Sequence, residues 1–279
     1  MRLKSRESGF SLIEMMIVMF IFLIISGAIF GLLNTAQIRY RAEQQLLDSL
    51  QGARVGIDQV TRDVRRAGYP PLNAYDTIVA NPPNNWVLNG VETWRLAVPL
   101  VGYRAGIGID QTCIVDAANP ALSTCTIPGP FELVVETDLE PNGTVDWVYY
   151  RLDTPGNAVA HPPTGGGAFT RTFYRAVMVK ACDGPPWVPM QCTNGNPVAD
   201  SGVPIVENVM QDPAVALDPT ANPAVFSYVC AGGAPICTPE NIVEVLIVLQ
   251  VRAITPDIQT RQVRAVTMQS LARVMNPPQ

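Results

Sequence analysis

The side chains of this sequence that could take part in chemistry are six cysteines and one histidine. His161 is the single histidine, so a metal site built from several histidines is excluded. The cysteines fall into three groups of near neighbours without CxxC spacing, which argues against zinc and favours disulfides formed in an oxidising compartment. Neighbouring cysteines are expected to pair, although six cysteines allow many other sets. The expected pairs are Cys113 with Cys125, Cys182 with Cys192, and Cys230 with Cys237.

A second group of side chains carries oxygen atoms at the spacing of a calcium-binding loop. Asp138, Glu140, Asn142 and Asp146 stand at positions one, three, five and nine of that pattern. Tyr149 occupies position twelve, where a bidentate glutamate would be expected. The competing interpretation is a hairpin turn within the same stretch. Calcium is therefore the one candidate ion, and no other cofactor is indicated.

The elements that must position these groups follow from an uneven composition. The chain has 279 residues and is 48% apolar and 15% charged, which is enough for a substantial core. All 25 prolines lie at or after Pro70, and all cysteines lie at or after Cys113. Residues 1–68 therefore contain nothing that would break or cross-link a helix, which predicts a long uninterrupted helix from residue 10 to 68, and residues 69–279 predict a loop-rich head.

The first part of the predicted helix is suited to a membrane. A basic leader, residues 1–9, precedes an apolar run at residues 10–33 that would rise about 36 Å as a helix. An ordinary secretory signal has a shorter apolar stretch and a small-residue cleavage site, so cleavage after the run is not expected. The basic residues before the run predict a cytoplasmic amino terminus, with the head on the other side of the membrane.

One acidic residue interrupts this apolar run. An uncompensated Glu14 would cost about 2.5–3.5 kcal/mol near the centre of a bilayer. Two interpretations remain: Glu14 lies near the interface and extends into water, or it pairs with a positive charge on another chain.

Residues 34–68 continue the helix as an amphipathic stalk. Apolar residues recur at steps of four and three, which predicts one buried stripe. The stripe consists of Leu46, Leu50, Ala53, Ile57, Val60, Val64 and Ala67. Arginines on the remaining surface alternate with Asp58 and Asp63 and lack aromatic companions. Together with the net charge of −5, this pattern argues against nucleic acid as a partner.

Glycines mark the end of the predicted helix and two pairs of positions within it. Gly68, followed by tyrosine and two prolines, predicts a left-handed helix end. Two pairs of glycines at a spacing of four indicate either close helix packing or local softening, and the sequence leaves that choice open. The pairs are Gly27 with Gly31 and Gly52 with Gly56.

The head predicts an antiparallel sheet. Strand-like runs occupy residues 131–136, 145–152 and 169–179, and a terminal hairpin joins residues 242–252 to 261–275. The predicted fold class is α+β: a long N-terminal helix, half membrane segment and half amphipathic, packed on a β-rich, loop-rich, disulfide-bonded head. The chain has no phosphate-binding loop or nucleophile elbow, and we expect that it is not an enzyme.

The N-terminal residues carry a resemblance to a known family. The segment Gly9-Phe10-Ser11-Leu12-Ile13-Glu14-Met15-Met16 resembles the processing and methylation motif of type IV prepilins and pseudopilins. The resemblance implies that a prepilin peptidase cuts between Gly9 and Phe10 and that Phe10 becomes N-methylated. It also implies that Glu14 pairs with the new amine of a neighbouring subunit.

Both ends of the chain narrow this resemblance. The segment Thr61-Arg62-Asp63-Val64-Arg65-Arg66-Ala67-Gly68-Tyr69 and the terminal hairpin are similar to PilW-like minor pilins, whereas residues 72–230 do not align. The resemblance implies a single-pass inner-membrane subunit with a periplasmic head, which primes or caps a type IV pilus at or near its tip. The implied partners are other minor pilins, the major pilin, the prepilin peptidase, the membrane assembly platform and the lipid bilayer.

Two alternatives remain beside this function. One is a large minor pseudopilin of a type II secretion system. The other is a pilus-borne adhesin or DNA-binding head that uses exposed tryptophans, although tryptophans of such a head more often fill its core. They are Trp86, Trp94, Trp147 and Trp187.

Overall fold

The computed structural model describes residues 11–69, 87–88, 91–92, 97–139, 145–152, 171–179, 202–252 and 264–275. The helix α1 spans Leu12–Arg66. The strands are β1 (Val87–Leu88), β2 (Val91–Glu92), β3 (Tyr103–Arg104), β4 (Gly108–Ile109), β5 (Val115–Asp116), β6 (Glu132–Thr137), β7 (Asp146–Leu152), β8 (Arg171–Val179), β9 (Val203–Val209), β10 (Phe226–Cys230), β11 (Ile236–Cys237), β12 (Ile242–Arg252) and β13 (Ala265–Arg273). Short 3-10 turns lie at Pro120–Leu122, Ala231–Gly233 and Pro239–Asn241.

The helix α1 runs without interruption for 55 residues. No proline occurs in it, so every backbone N–H after the first turn can be satisfied within the helix. Gly68 has a φ of 75°, a left-handed conformation that glycine adopts at little cost. In the described residues, α1 is the one helix long and apolar enough to cross a membrane, judged by length and composition.

The head is built on an antiparallel sheet that comprises seven strands in the described residues. Its order is β10-β12-β9-β8-β7-β6, with β13 paired to β12 outside this path. The predicted runs at residues 131–136, 145–152 and 169–179 are confirmed as β6, β7 and β8. The terminal hairpin is confirmed as β12 and β13, while residues 253–263, which connect the two strands, lie outside the described residues.

The second half of α1 packs on this sheet with the predicted stripe. Ala53, Ile57, Val60, Val64 and Ala67 are buried, and the two leucines that begin the stripe are half-buried. The stripe lies against β9, β12 and β13. The predicted fold class, a long apolar N-terminal helix packed on an antiparallel, disulfide-bonded head, is confirmed.

Alternating side chains of β6 and β7 serve two cores on opposite faces of the sheet. Leu133, Val135 and Tyr150 join the core that contains the helix stripe. Val134 and Trp147 face the other way, into a smaller core with residues of the segment before β6. A strand that alternates in this way buries both faces, which explains the near-continuous apolar sequence of β6 and β7.

Gly56 lies at a close contact between α1 and strand β9. A Cβ placed on Gly56 would overlap the Cγ2 atom of Val206 in β9, whereas a Cβ on Gly52 would meet no atom within 4 Å. For Gly56 the structure therefore decides in favour of close packing. Val206 is β-branched, with a stiff side chain, and is buried, so it has little freedom to move aside.

We expect opposite effects from alanine at these two glycines. Gly56→Ala adds overpacking of about 1–3 kcal/mol, which outweighs a gain in helix propensity of about 1 kcal/mol. Gly52→Ala has only the gain and should stabilise the chain. Urea unfolding of the two variants measures both effects, and a stabilised Gly56→Ala variant would contradict the close approach.

Candidate functional site

The processing residues lie at the start of the described chain. Gly9 and Phe10 fall outside the described residues, and Ser11 precedes the first helical residue. The backbone N–H of Ser11 donates to Oε2 of Glu14 at 3.2 Å. The carboxylate therefore turns back toward the amino end of α1, where the helix dipole also favours negative charge.

The apolar part of α1 receives no cover from the other residues that the structure describes. None of its most apolar window is buried, and Leu12, Phe22 and Phe30 are each at least 67% exposed. A continuous apolar surface of this length is not tolerated in water. The surface fits a lipid bilayer or a bundle of similar helices, and residues 12–33 would rise about 33 Å, close to the thickness of a hydrocarbon core.

The junction between α1 and the head is made by a buried carboxylate. Asp63 projects from α1 and is 1% exposed. Its Oδ2 atom accepts hydrogen bonds from the Tyr150 hydroxyl at 2.5 Å and from Nε of Arg175 at 2.9 Å. Nη2 of Arg175 lies 2.9 Å from the same oxygen, and Nε2 of Gln59 lies 3.1 Å from Oδ1. One helix residue is thus held by side chains from β7 and β8.

The surroundings of this cluster keep Tyr150 protonated and Arg175 charged, which are the states in which both side chains donate hydrogen bonds to Asp63. Burial raises the pKa of Tyr150 well above its ordinary value, and the negative charge of Asp63 raises it further. The phenol therefore stays neutral and donates its proton to the carboxylate. For Arg175, burial alone would lower the pKa, but Tyr150 and Asp63 outweigh it and the pKa is raised. The cluster is an ion pair supported by a neutral donor.

A second attachment holds the carboxyl end of α1. The backbone N–H of Gly68 donates to the carbonyl of Glu136 at 2.8 Å, and the Thr137 hydroxyl donates to the carbonyl of Arg66 at 3.1 Å. Tyr69 then forms a parallel bridge with Thr137. The end of the helix is therefore fixed to β6, while the Asp63 cluster fixes the turn before it to β7 and β8.

Two of the predicted disulfides are present. Cys113 pairs with Cys125 and Cys230 pairs with Cys237, as the local-neighbour interpretation predicted. The loops that they close are joined, because β5 in the first loop pairs with β11 in the second. The predicted pair of Cys182 and Cys192 lies outside the described residues.

The structure describes only part of the predicted calcium-binding loop. Asp138 and Asp146 lie near each other, and the backbone N–H between them, that of Leu139, points to Oδ2 of Asp146 at 3.4 Å. Glu140 and Asn142 lie outside the described residues. Among the residues that the structure does describe, no group of three or more His, Cys, Asp or Glu side chains is placed to hold a metal ion. Calcium binding stays a prediction.

Trp147 belongs to the core, as the competing interpretation held. It is 1% exposed, and its Nε1 donates to Oε1 of Glu136 at 2.7 Å. The other oxygen of Glu136 accepts the backbone N–H of Val98 at 2.8 Å. Trp147 is therefore not on the surface for a base or a surface ligand. Trp86, Trp94 and Trp187 lie outside the described residues.

Asp63 is the site residue that sequence reasoning missed. The charge pattern predicts it to be one of the acidic residues among the arginines of the exposed surface, yet it lies three residues after Val60 and four before Ala67, within the buried stripe. An acid on an apolar stripe predicts a buried partner. That signal was present in the sequence, but the partners Tyr150 and Arg175 were not identifiable from it.

The comparison with known proteins bears on the amino terminus. Residues 4–30 match the family model of the prokaryotic N-terminal methylation motif. No curated protein matches the chain. No solved structure matches it either. The matched motif, with the exposed apolar helix that begins within it, supports a type IV prepilin-like protein and fits a membrane-anchored pilin.

Proposed function

We propose that this chain is a minor subunit of a type IV pilus, stored in the membrane through α1 and active in priming or capping the filament. The observation that carries the proposal is the methylation motif at residues 4–30, together with a helix whose apolar surface the described part of the head leaves uncovered. A separate head of more than 200 residues is large for the repeating subunit of a filament, which favours a minor subunit.

The proposed mechanism moves one helix between two apolar surroundings. A prepilin peptidase removes residues 1–9, and Phe10 becomes the methylated amino terminus. In the membrane, lipid covers the first half of α1. In the filament, the apolar helices of other minor pilins and the major pilin replace the lipid. Because lipid and helix surfaces are similarly apolar, transfer costs little hydrophobic free energy.

The carboxylate of Glu14 favours transfer of the helix from the membrane into the filament. A carboxylate is unfavourable in lipid by about 2.5–3.5 kcal/mol but is stabilised when it pairs with the amine of a neighbouring subunit in a water-poor bundle. Subunit association therefore relieves a cost that the isolated subunit bears. The assembly platform would bring the subunits together in the membrane.

The direct test is the substitution Glu14→Ala in the full chain, expressed in its host. We expect the amount of the chain in sheared filaments to fall roughly tenfold, which corresponds to a loss of about 1.4 kcal/mol in the free energy of association. Glu43→Ala is the matched control, since Glu43 is an exposed acid of α1 beyond the apolar run, and it should assemble normally.

Mass spectrometry of the same filaments supplies the second readout. The proposal requires a chain that begins at N-methylated Phe10. A chain that still begins at Met1, or normal assembly of the Glu14→Ala variant, would contradict the proposal.

Deletion of the chain separates the pilus from the secretion alternative. Fewer surface filaments in the deletion strain would support the priming role. Loss of protein secretion with a normal number of filaments would instead identify a minor pseudopilin of a type II secretion system.

A further inference from the structure

A small cavity lies in the head between β5, β10 and residues 128–130. All the residues that line it belong to the part of the chain that the structure describes. It offers about 30 Å³ of space to groups of the size of water, and one side is open to solvent. A water molecule needs about 10–15 Å³ of such space, so the cavity accepts one small polar group rather than a whole organic ligand. Val115, Pro128 and Phe226 are buried and form apolar walls.

The one charged side chain that lines this cavity is Asp116, at the end of β5. Asp116 is 9% exposed. Its Oδ1 atom accepts the backbone N–H groups of Ala118 and Asn119 at 3.0 and 2.7 Å. Its Oδ2 atom accepts no hydrogen bond from the residues that the structure describes, and no arginine among them forms an ion pair with the carboxylate. Because Oδ2 is not enclosed by protein, it is the oxygen that the cavity reaches.

The local turn does not explain why this carboxylate is buried. Asp218 makes the same turn, since its Oδ1 accepts the backbone N–H groups of Thr220 and Ala221 at 2.8 and 2.7 Å. Asp218 nevertheless lies in the open, where water hydrates its carboxylate. A carboxylate that is withdrawn from water without a cation loses hydration free energy. Asp116 therefore bears a cost that its turn does not require, and this cost indicates a cationic ligand.

The hydrogen bonds of Asp116 select among cations. An arginine guanidinium binds a carboxylate best through both oxygens, and Oδ1 is already occupied. A metal ion needs several ligands, and the described residues contain no group of three His, Cys, Asp or Glu side chains placed to hold one. A primary ammonium is a compact charge that a single oxygen can bind. The apolar walls of the cavity suit an aliphatic chain that carries this ammonium.

Neutral acceptors for the other protons of an ammonium lie on β10. The backbone N–H of Phe226 donates to the carbonyl of Pro130 at 3.0 Å, on the side of β10 that faces away from β12. In an antiparallel strand the N–H and C=O of one residue point to the same side, and every second residue repeats that direction. The carbonyls of Phe226 and Tyr228 therefore point to the cavity side of the strand. With Oδ2 of Asp116, they supply the three acceptors that an ammonium requires.

We propose that this cavity binds the ammonium group of a lysine side chain from a different subunit of the same filament. The ammonium would pair with Oδ2 of Asp116, and the methylene groups of the lysine would lie against the apolar walls. One such ion pair supplies little affinity, so a free amine would bind only weakly, whereas a docked subunit holds its lysine at a high effective concentration. The inference rests on the proposed function, because it identifies a contact between assembled subunits.

The lysines of this chain are not placed to fill the cavity. They are Lys4, in the leader, and Lys180, which lies outside the described residues. Val179, the residue before Lys180, pairs with Asp146 beside the last residue of β6. The cavity adjoins the first residue of β6, about 17 Å away along that strand. The lysine is therefore assigned to another chain.

Thermal unfolding of the full chain in detergent tests the chemistry of the cavity. The probe is n-butylammonium chloride, and tetramethylammonium chloride is the salt control because its cation has no N–H donor. For a Kd on the order of 10 mM, about 0.1 M butylammonium should raise the melting temperature by about 3 °C. Asp116→Asn should abolish this rise, since the amide keeps an acceptor oxygen for the turn but loses the charge. Asp218→Asn changes the same turn at an exposed position, and it should respond like the wild type.

Recovery of the chain in sheared filaments tests the source of the ammonium. We expect Asp116→Asn to lower this recovery about fivefold relative to Asp218→Asn, because a contact between subunits is lost. Treatment of wild-type filaments with a carbodiimide joins carboxylates to amines that touch them. Mass spectrometry of the products should show Asp116 linked to a lysine of a different subunit.

Each result has a distinct meaning. An equal response of wild type and Asp116→Asn to butylammonium would overturn the inference and leave the proposed function intact. A response that requires Asp116, combined with equal recovery of both variants in filaments, would overturn the assignment to a lysine of a subunit and point to a free amine. A link from Asp116 to Lys180 would overturn the assignment to a different chain. Absence of the wild type and of Asp218→Asn from filaments would overturn the proposed function itself.

Discussion

Replacement of Asp63 by alanine is expected to lower the free energy of unfolding by about 3 kcal/mol, since it leaves a guanidinium and a phenol without their common acceptor. Removal of one partner from a buried ion pair costs about 3–5 kcal/mol, and we expect the lower end because the side chain of Arg175 keeps 20% of its exposure. For a head of this size, the melting temperature should fall by about 6–12 °C. Urea unfolding followed by tryptophan fluorescence measures the change.

Asp58 provides the control for this prediction. It lies on the same helix five residues earlier and is exposed, and in the described helix no ion pair joins it to Arg62. Asp58→Ala should therefore change stability by no more than about 0.5 kcal/mol. A cost for Asp63→Ala no greater than that for Asp58→Ala would show that the cluster does not hold the helix to the head.

Removal of both described disulfides is expected to cost about 5 kcal/mol. In the chain-entropy account, the closed loops of 12 and 7 residues contribute about 3 and about 2 kcal/mol, because cross-links restrict the unfolded chain. The variants are paired replacements by alanine, Cys113→Ala with Cys125→Ala and Cys230→Ala with Cys237→Ala, made separately and together. Alanine is chosen because three of these sulfurs belong to residues at most 6% exposed.

The two disulfides should not act independently. The N–H of Ala117 donates to the carbonyl of Pro235 at 2.8 Å, and β5 pairs with β11, so one loop supports the other. The combined variant should therefore depart from the sum of the separate losses by about 0.5 kcal/mol or more. Peptide mapping of the unreduced chain provides the control, and it also tests the predicted pair of Cys182 and Cys192. Unchanged stability of the combined variant would contradict the prediction.

Local sequence signals were sufficient for much of the fold. A stripe with a helical period determined which side of α1 is buried, and alternation with turn residues determined the positions of β6, β7, β8 and β12. Cysteine spacing was sufficient for the two described disulfides, because short loops favour pairing of neighbours. In each case, the residues that determine the structure lie within a few turns or one strand of each other.

Only the N-terminal part of the candidate site could be predicted from the sequence. The segment from Gly9 to Glu14 is a contiguous motif, so its resemblance was readable without any structure. The Asp63 cluster joins residues that are 87 and 112 positions apart in the chain. No local pattern could assign Tyr150 or Arg175 to Asp63, because their contact depends on how β7 and β8 lie under α1.

The sequence by itself determined that this protein has an apolar N-terminal helix with a prepilin-like start, an amphipathic continuation and a head of antiparallel strands. These properties follow from composition and period, which act between near neighbours. Only the tertiary structure decided that Gly56 permits contact with Val206, that Asp63 is buried against Arg175, and that the end of α1 is fixed to β6. Those outcomes depend on the order and direction of strands that are distant in the chain, and that arrangement is fixed by packing of the whole core rather than by any single segment.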